Sequence, residues 1–142
     1  MKRAIIAAMI ASTLMAGLAA ANPPAEKGSG EAAASGRTMD APYLAVPVVR
    51  DGRLANYLFV SVRFEIAQGV DLWRTREQAQ FLRDALVRAA HANQLAMAND
   101  PNRLDDARAI QVFRAAAVQV LGERAVGRVT ILATHSSSDG GA

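Results

Sequence analysis

Few side chains in this 142-residue sequence could do chemistry: His91, His135, the triplet Ser136–Ser138, and the adjacent carboxylates Asp105 and Asp106. Serine-based acyl transfer needs a serine, a histidine within hydrogen-bond reach and an orienting acid. Here the serines open a polar stretch, SSSDGGA, that ends the sequence, and no G-x-S-x-G elbow is present. His91 falls three residues after Arg88 within a helical pattern and reads as a partly exposed helix residue; His135 ends a strand-like run. Cysteine is absent, which excludes a thiol nucleophile, a disulfide framework and a cysteine-built metal site. Two distant histidines do not supply the three or four ligands of a transition-metal site, and adjacent aspartates at a helix start read as caps. The glycines form neither G-x-G-x-x-G nor a Walker motif. The expectation is a non-enzymatic chain with no catalytic, cofactor-binding or metal-ligating residues. The alternative is a small secreted ligand-binding or enzymatic domain that uses His91 or His135.

Charge first suggests a nucleic-acid partner, since the formal net charge is +3 and the isoelectric point about 9.9. The N-terminus changes that reading. Lys2 and Arg3 precede an uncharged run from Ala4 to Ala21, diluted by eight alanines, Ser12, Thr13 and Gly17. Small residues Ala19-Ala20-Ala21 then meet the polar Asn22-Pro23-Pro24, the layout of a secretory signal peptide. The competing reading of residues 1–21 is a retained anchor, placing the protein in the inner membrane facing the periplasm rather than free in the periplasm. Without Lys2 and Arg3, 14 basic residues face 13 acidic ones, a near-neutral balance without a phosphate-binding footprint.

Residues 22–40, rich in Pro, Gly, Ser and Ala, read as a linker, and residues 136–142 as a disordered tail. The 95 residues of 41–135 suffice for one small core. Tyr43–Val49 reads as an edge or bulged strand because Pro47 cannot donate to a ladder. Asp51-Gly52 signals a hairpin turn. Leu58, Val60, Val62, Phe64 and Ile66 alternate with Tyr57, Phe59, Ser61, Arg63 and Glu65, which predicts a strand with one face on a core. Thr75 and Gln78 suggest a capping box ahead of a helix with Leu82, Ala85, Leu86, Ala89 and Ala90 on its apolar face. Asn99–Asn102 reads as a turn, and a second helix starts at Asp105 or Asp106 with Ile110, Phe113, Ala117, Val120 and Leu121 facing inward. A last strand, Arg128–Thr134, places Val129, Ile131 and Ala133 on one face. The expected fold is α+β: a β-β-α-α-β domain with both helices on one face of a short sheet. If the last strand runs parallel to the second, the helical crossover should be right-handed.

Trp73, just before Thr75, reads as a hydrophobic staple or core lid, with an exposed interface anchor as the alternative. Tyr57 and Phe59 lie opposite the core stripe and are either core-edge residues or a contact patch. With Arg76, Arg83 and Arg88 on the solvated helix face, these residues form the candidate interface for a protein partner or a second copy of the chain.

The stretches YLAVPVV and LANYLFVSVRFEIA, the helix QFLRDALVRAA with Arg83-Asp84-Ala85, and RAIQVFRAAAVQVLGERAVGRVTIL resemble the FliL family of flagellar basal-body-associated proteins. The resemblance covers most of residues 43–134. It implies a periplasmic domain similar to stomatin-type folds, carried behind an N-terminal membrane segment and a linker. It also implies a non-enzymatic role at the flagellar motor, through contacts with the stator or basal body, and brings no catalytic residues with it. Two departures stand out here: the N-terminal run reads as cleavable, and the acidic and glycine signals usual around the family's second helix are thin.

Overall fold

The structure, a computed structural model, describes residues 36–140; the proposed signal or anchor segment lies outside the described residues, as does most of the linker. Its elements are β1 (Thr38–Arg50), β2 (Arg53–Ile66), α1 (Leu72–Glu77), α2 (Ala79–Ala92), β3 (Ala96–Met97), β4 (Asp100–Leu104), α3 (Asp106–Leu121) and β5 (Val126–Ser136), followed by a 3-10 turn, Ser137–Gly140. The fold is α+β. β1, β2 and β5 form an antiparallel sheet in the order β1-β2-β5, and β3 and β4 form a separate two-stranded hairpin. β5 runs antiparallel to β2, so the parallel crossover does not arise.

The alternation read in β2 is the centre of the core. Leu58, Val60, Val62, Phe64 and Ile66 are all buried, and α2 and α3 cover that face with Leu82, Leu86, Ala90, Phe113 and Ala117. α2 packs on β1 and α3 on β5, which leaves β2 beneath the seam between the helices. At roughly 25 cal/mol per Å2 of apolar area, burial of each leucine or phenylalanine on this face stabilises the domain by about 1.5–3 kcal/mol.

Bulges keep the apolar residues on the helix side. Ala41 pairs with Val62 but Leu44 pairs with Val60, so β1 carries one extra residue at Pro42–Tyr43, where Tyr43 has φ +52°. That insertion switches the inward parity from Met39 and Ala41 to Leu44, Val46 and Val48. Pro47 sits in an edge strand, as its missing donor requires. In β5, Ser61 faces Ala133 while Val62 faces Ile131, so Leu132 is the extra residue. The expected β5 face therefore breaks at Leu132. Val129 and Ile131 lie on the core side, but Ala133 pairs with Ser61 of the opposite face.

The helical region departs from the expected capping box. Asp71, not Thr75, caps the first helix, its carboxylate accepting from the Arg74 amide at 3.1 Å. Thr75 is buried and its hydroxyl donates to the Asp71 carbonyl at 2.7 Å, so it is unable to cap. Gln78, with φ −89° and ψ 6°, then breaks the helix into α1 and α2. Asp105 caps α3 by accepting from the Arg108 amide, and Gly122 ends it at φ +88°. The stretch read as the Asn99–Asn102 turn is mostly strand β4, tied in by Arg50, whose guanidinium donates to the Ala98 carbonyl at 2.9 Å and to that of Met97.

Both domain edges move outward. β1 starts at Thr38, three residues inside the segment read as linker, with Met39 buried. Ser136, the first residue of the expected tail, is buried at the end of β5.

Candidate functional site

The residues singled out from the sequence separate into three places. Tyr57 and Phe59 stand on the sheet face opposite the helices; Trp73 and Arg76 lie on α1; Arg83 and Arg88 lie on α2.

The sheet face is built by register. Phe59 lies between Ala45 of β1 and His135 of β5, and Tyr57 lies opposite Pro47. Tyr57 and Phe59 are half-buried among these cross-strand neighbours, and both helices occupy the other side. At the far end of the face Asp40 and Arg63, directly opposite in the ladder, form a two-pronged ion pair of 2.8 and 2.7 Å. Hydrogen bonds from the Arg63 guanidinium hold the Asp40 carboxyl below the usual aspartate range, against the opposing effect of partial burial. The face is thus apolar and aromatic at one end and ion-paired at the other, a surface suited to contact.

Trp73 does not act as a staple. Leu72 takes the inward position and Thr75 follows three residues on, which turns Trp73 outward; its side chain is 77% exposed. The Arg76 guanidinium lies 5.9 Å from the Trp73 ring centroid and also donates to the Gly36 carbonyl at 3.1 Å. Arg83 donates to the Pro42 carbonyl at 2.8 Å and so ties α2 to the β1 bulge. Arg88 pairs with Asp84 one turn earlier on the exposed face of α2, a contact worth a few tenths of a kcal/mol. Arg83 and Arg88 are thus engaged within the domain.

His91 is exposed on α2 and His135 is exposed on β5, far apart in the element order. Among the described residues no group of three or more histidine, aspartate or glutamate side chains could hold a metal ion. A groove of about 460 Å3 between α2 and α3 is lined largely by Ala85, Ala89, Ala92, Val112 and Ala115, with Arg88 and Gln119 at its rim.

Sequence reasoning missed one polar cluster. Asn56, buried in β2, donates through its side-chain amide to Ser136 Oγ at 2.6 Å and to Asn102 Oδ1 at 2.9 Å. Ser137 Oγ donates to Asn56 Oδ1, and Ser138 Oγ donates to Asn102 Oδ1 at 2.8 Å. The three serines therefore latch the end of β5 to β2 and β4 and are not arranged around a histidine. The signal was present in the alternation itself: Asn56 continues the inward parity of Leu58 and Val60, and a polar residue there requires partners.

Comparison with protein-family models, with curated proteins and with solved structures finds no match for this chain.

Proposed function

We propose that this chain is a non-enzymatic periplasmic interaction protein that resembles the FliL family and supports a membrane complex, the flagellar motor and its stator, through protein–protein contacts. The observation that carries the reading is the uncovered sheet face, where Tyr57 and Phe59 stand side by side on β2 with no described element across them. Aromatic side chains held rigidly by a ladder lose little entropy on binding, and they are enriched among residues that dominate interface energetics. The Asp40–Arg63 pair at the other end of the face supplies a polar rim that fixes orientation. Export follows from residues 1–21, as a cleaved signal or a retained anchor. Deleting the gene and measuring swimming and stator recruitment tests this reading. Reduced motility, with stator subunits co-purifying with the protein, supports it; unchanged motility without co-purification refutes it.

A further inference from the structure

We infer that the groove between α2 and α3 is the contact surface of a two-fold dimer, with Phe81 of each copy seated in the groove of the other. The groove holds about 460 Å3, and its walls are small side chains of both helices: Ala85, Ala89 and Ala92 on α2, Val112 and Ala115 on α3. Ala92 and Ala115 are exposed, so the groove opens to solvent. Phe81 lies one turn before Ala85 on the same flank of α2 and is 68% exposed. Leu82 beside it takes the inward position, which leaves the Phe81 ring in water next to a trough of small side chains.

The occupant that this surface fits is a second copy of the chain. One flank carries both the projecting ring and the hollow, and a two-fold contact requires that each copy present the same self-complementary patch. Antiparallel alignment of α2 with α2 of the second copy, Phe81 opposite Ala92, sets the register. Arg88 of the second copy then comes level with Ala85, one residue or about 1.5 Å of rise from Asp84. The two-fold axis repeats the approach, so Asp84 of the second copy lies equally near Arg88. Within one chain Asp84 and Arg88 already form an exposed 2.7 Å pair on this side of α2. In the dimer the two pairs merge into a cluster of alternating charge. Along the axis opposite charges are one residue apart, whereas the two arginines are three apart and the two aspartates five. Shape and charge thus select the same antiparallel register. This surface is separate from the Tyr57–Phe59 face, and the inference does not rest on that face.

Full-length protein is followed by sedimentation velocity over a range of concentrations, with far-UV circular dichroism recorded for every variant. The expected result is a reversible monomer–dimer equilibrium. Phe81→Ser should raise the dissociation constant about tenfold or more, as loss of a central aromatic anchor does. Asp84→Arg and Arg88→Asp should each weaken self-association about tenfold, because like charges then meet across the two-fold axis. An equimolar mixture of these two variants should associate as the wild type does, since each supplies the charge that the other lacks. That rescue reads the contact between copies and not the fold of either one. Tyr57→Ser/Phe59→Ser should leave the equilibrium unchanged. A single monomeric species at all concentrations overturns the inference, as does a dimer that persists in Phe81→Ser. Charge variants that stay apart when mixed also overturn it. A dimer lost in Tyr57→Ser/Phe59→Ser gives the contact to the sheet face, and a monomer that binds a different protein through Phe81 gives the groove to that partner; either result overturns it too.

Discussion

Replacing Asn56 with alanine should unfasten the C-terminal end of the sheet. Asn56 is 7% exposed and its amide joins three segments: β2, β4 through Asn102, and the end of β5 through Ser136. The substitution removes two short donated bonds, a long one of 3.4 Å to the Pro101 carbonyl, and the one accepted from Ser137. At about 1 kcal/mol net for each intramolecular hydrogen bond, the loss is ~2–3 kcal/mol. The partners keep one another, since Ser136 Oγ still donates to Asn102 Oδ1 at 3.1 Å, so no further penalty for stranded polar groups is added. For a domain of this size that corresponds to a fall in Tm on the order of 10 °C. The assay is urea denaturation followed by far-UV circular dichroism, because the exposed Trp73 is a poor reporter of unfolding. In a double-mutant cycle, Asn56→Ala and Ser136→Ala should couple by about 0.5–3 kcal/mol. A loss below about 0.5 kcal/mol, in the range of ordinary surface substitutions, would refute the latch.

Gly127 sits at the β5 bulge opposite Glu65, and a Cβ there would lie 3.0 Å from the Glu65 carbonyl oxygen. Gly127→Ala should therefore cost about 1–3 kcal/mol in urea denaturation, as overpacking against backbone that cannot swing away. Phe113, fully buried on α3, fills the space over the sheet, and Phe113→Ala should cost about 3–5 kcal/mol in the same assay. Because the folded Asp40 carboxyl titrates below its unfolded value, the Asp40–Arg63 pair contributes stability that is full above the ordinary aspartate pKa. That contribution is lost as pH falls through the lowered value, so wild type and Asp40→Asn should differ in Tm at neutral pH and converge in acid; a pH series of thermal melts checks this.

The parts of the fold that were legible were those governed by period alone. The β2 alternation and most of the α2 stripe place one side chain after another on a fixed face that the structure buries. On α3, Phe113 and Ala117 are buried as read, but Ile110, Val120 and Leu121 are half-buried and Ala109 and Ala116 take inward places. What escaped the reading depends on contacts between distant segments. The bulges at Pro42–Tyr43 and Leu132 shift parity by one residue, and only the partner strand reveals the need for the shift. Thr75 resembled a cap because its type and spacing fit, but its hydroxyl is drawn to the Asp71 carbonyl while Asp71 supplies the cap. Trp73 looked like a staple because it is large and apolar; Leu72 next to it takes the inward position. The serine triplet looked like tail because its buried partner, Asn56, lies 80 residues away. For the candidate interface, residue types were legible but grouping was not. Tyr57 and Phe59 share a face by alternation, whereas Arg83 and Arg88 are engaged by Pro42 and Asp84.

The central claim, that the open sheet face holds a protein partner at a membrane complex, meets its most direct test in a chromosomal Tyr57→Ser/Phe59→Ser strain. Both side chains are half-buried on the face away from the core, so the variant should be exported and folded at wild-type levels. Stator subunits co-purifying with the protein are quantified alongside swimming speed. The account predicts that co-purification is lost and motility falls toward that of the deletion strain. Retention of both at wild-type levels, with the variant protein folded and present, would contradict it.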